Sequence, residues 1–285
     1  MTLGRRTKLG LGIGCGAVAL IFLLVIGGGI FFARQMADQY RGVHDSEADL
    51  LAATGEVVAW RAPLRGVPTT ERLDAFLAVR TDLSEWRTRL TGAVETFLAS
   101  RRAGGSGPFH WWRLFRAGSD LAPVYAGFWT ARNEALLARR MNPAEYIYLY
   151  VLAYYADLGR PPDDGYQQAA GGETSAAPEG AAVERQRMLA ELRDVLLPIL
   201  TTMPFLNPET PEPGDGLTAA EVGRELERLA RAPERLPWQD GLPPALAPAF
   251  APYRQRLAPL YSPLINPVEL LFEAVTHTID GADAS

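Results

Sequence analysis

The longest apolar run of the chain lies near its N-terminus. Residues 9–32 contain no charged side chain, and a helix of this length, rising about 1.5 Å per residue, reaches ~36 Å and so crosses a hydrocarbon core of ~30 Å. Positive charge is concentrated just before the run, at Arg5, Arg6 and Lys8. Because positively charged flanks stay inside, the pattern predicts a basic cytoplasmic tail at 1–8, a single transmembrane helix at 9–32 and an external C-terminal domain.

Two other kinds of N-terminus fit the run less well. A cleavable signal peptide has a shorter apolar region and a small-residue cleavage site, whereas this run is longer and offers only Gly27-Gly28-Gly29. A lipidated Cys15 would have little apolar sequence before it and much after it. We therefore interpret residues 9–32 as an uncleaved signal-anchor.

Glycines within this run recur four residues apart. Gly10 and Gly14 form one such pair, and Gly12 and Gly16 form another. Small residues at this spacing allow two membrane helices to approach closely, which suggests a homodimer. Glycine is also common in membrane spans generally, and we favour that simpler interpretation.

The rest of the sequence divides by composition and by helical spacing of apolar residues. It comprises a juxtamembrane segment at 33–66, a helical core domain at 67–159, a flexible loop at 160–183 and a helical region at 184–279 that packs on the core. No strand pairing is indicated. The prediction is an all-α, bundle-like domain of about six to eight helices with long loops rich in proline and glycine.

Five helices carry this prediction. Apolar residues at spacings of three and four predict one long helix at 70–102, and Ser119 is a plausible cap for a helix to about Arg140. The stretch 146–158 follows the N-cap Asn142 and the first-turn proline Pro143. It is apolar on every side, which is typical of a buried central helix, although its alternating tyrosines would also suit a strand. Thr218 opens a capping box, and Asn266 caps a last helix to about Thr278.

Charge and composition exclude several classes of protein. The net charge is −5, and without the three basic residues of the tail 25 basic residues face 33 acidic ones, which argues against binding nucleic acid. Lys8 is the only lysine and Cys15 the only cysteine. The external part therefore has no lysine for Schiff-base chemistry and no thiol for catalysis, disulfides or cysteine-metal sites. Its richness in Ala, Gly, Pro and Arg suggests a GC-rich bacterium, hence a bacterial inner membrane and a periplasmic or extracellular domain.

Standard catalytic and cofactor motifs are missing from the sequence, so we predict no catalytic residue, no metal and no cofactor. One local pattern still resembles a metal site. Glu269, Glu273 and His277 are four residues apart and would line one helix face. A polar stripe of this kind is more often a solvated face, and Glu269 also suits a role in the helix cap.

Charged residues at apolar positions are the candidate site. Arg80, Arg87 and Arg132 fall on the apolar arcs of their helices, and Asp157 lies within the central helix, which Glu145 opens. Burying such groups alone would cost several kcal/mol, so they need partners. Internal ion pairs, such as Asp157 or Glu134 with Arg80 or Arg132, are the simplest interpretation. The arginine stems would alternatively snorkel to water, or the five residues would form a pocket for an anion.

Aromatic side chains are dense in the middle of the chain. Aromatic residues at helical spacing are more often core than a ligand cleft or a membrane-interface group, and we favour the core. The set comprises Trp111, Trp112, Phe115, Tyr125, Phe128, Trp129, Tyr146, Tyr148, Tyr150, Tyr154 and Tyr155.

Taken together, these features favour a membrane-anchored, non-catalytic protein whose external helical domain binds a protein partner or serves envelope assembly. Two alternatives remain open. One is a hydrolase-like enzyme that uses carboxylates and arginines in a cleft between the long helices. The other is a binding protein for an anionic or apolar ligand.

Overall fold

The computed structural model describes residues 40–103, 108–162, 164, 179–207, 214, 216–270 and 272. All regular structure in these ranges is helical, so the predicted all-α class is confirmed. The chain divides into two compact units, Met1–Gly42 and Val43–Ser285, and the first is described only from Tyr40. The predicted span at 9–32, with its glycine pairs, lies outside the described residues. Of the helices that are described, none is long and apolar enough to cross a bilayer.

The first half of the described chain contains the longer helices, here numbered α1 to α5. They are α1 (40–54), α2 (Thr70–Asp82), α3 (Ser84–Arg102), α4 (Pro108–Ala138) and α5 (Pro143–Tyr150), with a 3-10 turn at Val57–Ala59 and a π-helix at Val151–Asp157 that continues α5. The prediction of one helix at 70–102 is wrong. Leu83, with φ of −80° and ψ of −1°, lies at the edge of the right-handed helical region, and the helix is interrupted there, which separates α2 from α3.

The start of α4 also differs from the prediction. The helix begins at Pro108 and runs through Ser119, the residue that the sequence suggests as its cap. The Ser119 hydroxyl instead donates to the carbonyl of Phe115 at 2.9 Å, a bond that serine commonly makes inside a helix.

The second half contains α6 to α10 and several short turns. They are α6 (Glu179–Thr201), α7 (Ala219–Arg231), α8 (Ala247–Phe250), α9 (Arg254–Leu257) and α10 (Asn266–Leu270), with 3-10 turns at Pro204–Leu206, Ala251–Tyr253, Ala258–Leu260 and Pro263–Ile265. The described chain has more helical segments than the sequence predicts because the proline-rich tail forms single turns. Proline at the first or second position of a turn fits helical geometry without losing a hydrogen bond. Residues 179–183, assigned to a loop from the sequence, belong to α6.

A fully buried helix organises the fold. Asn142 caps α5 by accepting from the amide of Ala144 at 2.8 Å, as its sequence predicts. Every residue of α5 is buried, and so are residues 151–156 of the π-helix. This helix packs against α2, α6 and the turn at Val57–Ala59. A smaller second core, built on Leu90, Phe128 and Ile265, joins α3 to α4.

The Asn142 cap has a second role that makes it more important than an ordinary helix cap. Its amide group donates to the carbonyl of Gly55 at 2.8 Å and so ties α5 to the end of α1. We expect Asn142→Ala to lower the free energy of unfolding by about 2–4 kcal/mol, because a cap and a buried bond are lost together. The matched variant Thr218→Ala, which removes only the capping box of α7, should cost ~1 kcal/mol. Urea unfolding followed by circular dichroism measures both, and equal losses would contradict the second role.

Candidate functional site

The three arginines singled out from the sequence converge on one glutamate. Arg80, Arg87 and Arg132 come from α2, α3 and α4, and all three are buried. Their common partner is Glu269 in α10, whose side chain is 0% exposed. The sequence does not indicate this residue as the partner, because its position after Asn266-Pro267 suggests a helix cap.

Glu269 is held through one carboxylate oxygen and its backbone. Arg80 Nη1 and the Tyr146 hydroxyl, the latter at 3.0 Å, donate to Oε1. Arg87 Nη1 lies 3.4 Å from the same oxygen. Arg132 Nη1 donates at 3.0 Å to the backbone carbonyl of Glu269. The other carboxylate oxygen, Oε2, is buried without a hydrogen-bond partner. The carboxylate is therefore bound on one side only.

Arg80 and Arg87 make further hydrogen bonds besides those to Glu269. Arg80 donates to the carbonyl of Leu260 and to the Tyr154 hydroxyl, the latter at 3.0 Å. Arg87 donates to the carbonyl of Arg80, beside the break between α2 and α3. Arg80 and Arg87 are seven residues apart, about two helical turns, so both guanidinium groups lie on the same side.

Three positive charges meet in the cluster, and aromatic rings help to accommodate them. The guanidinium of Arg80 lies 5.0 Å from the Tyr150 ring centroid and 4.9 Å from that of Tyr154. The Arg132 guanidinium lies 3.6 Å from the Phe272 centroid. Ring faces attract cations, and more strongly when water is excluded. The buried carboxylate of Glu47 adds a further negative charge near Arg132.

Burial changes the proton affinities of the cluster in known directions. It lowers the pKa of Arg87 to about 10, with the Arg80 charge acting in the same sense. It lowers the pKa of Arg132 to about 10 as well, against the attraction of Glu47. Burial acts to lower the pKa of Arg80 too, but the electrostatic attraction of the oxygens of Tyr154, Tyr146 and Tyr150 is stronger, so the pKa of Arg80 is raised. All three arginines are therefore charged at neutral pH, so they act as fixed charges.

Tyrosines of the central helix fix the C-terminal segment to the core. The Tyr150 and Tyr155 hydroxyls donate to the side-chain oxygen of Asn266 at 2.8 and 2.7 Å. The Tyr154 hydroxyl donates to the carbonyl of Leu257 at 3.3 Å. Burial raises the pKa of Tyr150 and Tyr154, so both remain neutral donors. The hydroxyls serve as anchoring points for α9 and α10.

The two carboxylates singled out from the sequence lie elsewhere, each with its own arginine. Glu145 accepts two bonds of 2.6 Å from Arg72. Asp157 accepts from Arg254 at 2.8 Å and 2.5 Å. The pairing of Asp157 with Arg80 or Arg132 is therefore wrong, although the broader expectation of internal ion pairs is met by other partners. These partners lie 73 and 97 residues away in the chain, a separation that helical spacing cannot reveal.

The predicted aromatic core divides into three groups, one of which is the half-buried pair Tyr125 and Trp129, packed against the second core. Phe128 and all five tyrosines between 146 and 155 are buried as expected. Trp111, Trp112 and Phe115 are exposed, contrary to the prediction. The helical wheel of α4 carries apolar residues on more than one side there, so the sequence alone does not show which side faces the core.

The described part of the chain contains no cluster of metal-ligating side chains, and the cleft beside its central helix is small. Among the described residues, no group of three or more His, Cys, Asp or Glu side chains is placed to hold a metal. Of the polar stripe, Glu269 is buried in the cluster, and Glu273 and His277 lie outside the described residues. A cleft between α5 and α6, lined by residues including Met188, Leu192 and Phe272, has a volume of only about 10 Å³, which is enough for about one water molecule.

Comparisons with protein-family models, curated protein sequences and solved structures give no match to this chain.

The shared carboxylate makes Glu269 the most sensitive member of the cluster. We expect Glu269→Ala to lower the free energy of unfolding by about 3–5 kcal/mol, because it leaves buried guanidinium groups without their counter-charge. The matched control is Glu227→Ala, which breaks the exposed pair with Arg231 and should cost less than ~1 kcal/mol. Chemical denaturation measures both. Similar values for the two variants would contradict the central position of Glu269.

The buried tyrosines should show themselves in an alkaline titration. The unfolded chain loses tyrosine protons near pH ~10, whereas burial raises the pKa of Tyr148, Tyr150 and Tyr154 in the native chain. The contribution of these tyrosines to the free energy of unfolding is thus fully present below pH ~10 and is lost as the pH rises further. The lowered pKa values of Arg87 and Arg132 act in the opposite direction. We expect tyrosinate absorbance to rise in two steps, the second coinciding with unfolding. Tyr148→Phe should reduce only the second step; a loss from the first would contradict the assignment.

Proposed function

We propose that this protein is a membrane-tethered helical domain that acts by binding rather than by catalysis. In this proposal residues 9–32 anchor the chain in a bacterial inner membrane, residues 1–8 remain in the cytoplasm and the described domain lies outside. The charge-free run and the basic residues before it support the anchor and its orientation. The external sequence is acidic and has no lysine or cysteine after Cys15, which excludes catalysis by a lysine Schiff base or a thiol there.

One observation carries the non-catalytic part of the proposal. The charged residues that an arginine and carboxylate enzyme would need are used in internal pairs: Arg80 and Arg87 with Glu269, Glu145 with Arg72, and Asp157 with Arg254. A general acid or base must reach its substrate and exchange a proton. Guanidinium groups that are buried and paired with an equally buried carboxylate hold helices together instead of contacting a substrate. These pairs support a stable scaffold whose outer surface binds a partner, as an envelope-assembly protein requires.

The apolar-carrier alternative is less well supported. It requires the aromatic cluster to line a cavity, whereas the tyrosine hydroxyls of the central helix bind Asn266, Glu269 and Leu257 across the core. The cleft beside this helix is too small for a fatty acid.

Orientation can be tested with reporter fusions after Gly159. Alkaline phosphatase, which is active only outside the cytoplasm, should be active at this position, and a fluorescent reporter that folds only in the cytoplasm should be dark. Substituting Arg5, Arg6 and Lys8 with glutamate is the matched control, because it removes the charge bias and should reduce phosphatase activity. A fluorescent, phosphatase-negative fusion of the unaltered chain would overturn the proposed location.

A further inference from the structure

The first turns of α4 expose large aromatic side chains. Phe109, Trp111, Trp112 and Phe115 are 82%, 67%, 61% and 56% exposed. Phe128, further along the same helix, is completely buried. Single exposed apolar residues are ordinary, but a contiguous group of this size marks an interaction surface.

Helical geometry places these side chains together on the outer face. At about 100° per residue, Trp111, Phe115 and Trp112 span an arc of roughly 100°. The arc lies opposite Ala117, which is buried. The rings of Trp112 and Phe115 stack with centroids 6.0 Å apart. A helix face that ordinarily carries polar residues is therefore aromatic here.

The surroundings of these aromatics are basic, although the chain as a whole is acidic. Residues 96–119 contain four arginines and no acidic residue, while the rest of the chain has 24 basic residues against 33 acidic ones. Arg101 and Arg102 end α3, Arg113 and Arg116 lie in α4, and all four are exposed. On the same helical wheel Arg116 and Phe109 lie about 40° and 60° beyond Trp112, whereas Arg113 lies near the buried Ala117. The four aromatic residues with Arg101, Arg102 and Arg116 are called the aromatic–arginine surface below.

We propose that the aromatic–arginine surface lies against the anionic headgroups of the bilayer in which the chain is anchored. Tryptophan and other aromatic side chains favour the membrane interface, where their rings leave water without entering the hydrocarbon core. Arginines beside them are attracted to anionic lipids, each strengthening binding about fivefold. Positive charge on this surface thus complements a negatively charged bilayer.

The choice of a bilayer over other occupants follows from the anchor, so the inference rests on the proposed function. Residues 33–39 lie between the predicted span and α1, and seven residues reach at most ~25 Å even when fully extended. A surface tethered so closely meets the membrane at a high effective concentration. The bilayer is the one occupant that the anchor keeps within reach at all times.

Tryptophan fluorescence of the full chain in vesicles tests the contact directly. The six tryptophans all lie beyond residue 39, so the membrane span contributes no signal. The chain is reconstituted in phosphatidylcholine vesicles containing about 30% phosphatidylglycerol, with lipids brominated near the headgroup as quenchers. We expect strong quenching in the unaltered chain, and loss of most of it in the double variant Trp111→Phe/Trp112→Phe. The matched double variant Trp60→Phe/Trp86→Phe, at half-buried positions, should retain it.

Charge provides a second, independent measurement. Arg116→Gln should weaken the contact about fivefold, and raising the salt concentration should weaken it further because it screens the attraction. Vesicles of pure phosphatidylcholine should give less quenching than the anionic ones. Quenching that is absent, or that is unchanged by the Trp111/Trp112 substitutions, would overturn the inference.

A second copy of the chain is the competing occupant of this surface. If it binds there, a water-soluble quencher fails to reach Trp111 and Trp112 even without anionic lipid, and substituting them halves the apparent mass in detergent; this outcome overturns the inference.

Flotation with the vesicles after an alkaline wash reports the anchor separately. A chain that floats without lipid quenching contradicts only this inference, whereas a chain that does not float contradicts the proposed function as well.

Discussion

The ion pair between Arg80 and Glu269 is the interaction on which the rest of this structure depends. It joins residues 189 positions apart, and both side chains are fully buried. Buried charges are costly, and further hydrogen bonds to the paired groups offset part of that cost. Here those bonds come from tyrosines of the central helix and from carbonyls of neighbouring segments, while Oε2 of Glu269 has no partner. Helix α2 is therefore linked to α10, near the end of the described chain, through polar groups in the middle of an apolar core.

This arrangement accounts for features that are otherwise unrelated. The seven-residue spacing of Arg80 and Arg87 lets α2 and α3 each direct an arginine to the same carboxylate. The tyrosines at 150, 154 and 155 place their hydroxyls on the proline-rich tail, whose short turns have few backbone bonds of their own. Tertiary contacts thus stabilise a segment that local propensity would leave weak, as is general for short helices.

The sequence predicts the local features of the fold better than its long-range ones. Helical spacing and caps correctly indicate an all-α domain, a buried central helix and the capped starts of α5 and α7. These depend on residues within a few positions of each other. The partners of Arg80, Glu145 and Asp157 lie 73 to 189 residues away, and helical periodicity contains no such information. The sequence also does not predict the exposure of Trp111 and Trp112, because tertiary packing decides which side of α4 faces α3.

The central claim is that the arginine cluster and Glu269 form a structural clamp rather than a site for chemistry. A double-mutant cycle with Arg80→Met and Glu269→Gln tests it most directly, with the free energy of unfolding as the measured quantity. We predict a coupling energy above ~2 kcal/mol, because each single change leaves a buried group without its partner. Effects that add to within ~0.5 kcal/mol would show that the two side chains do not depend on each other, and would contradict the claim.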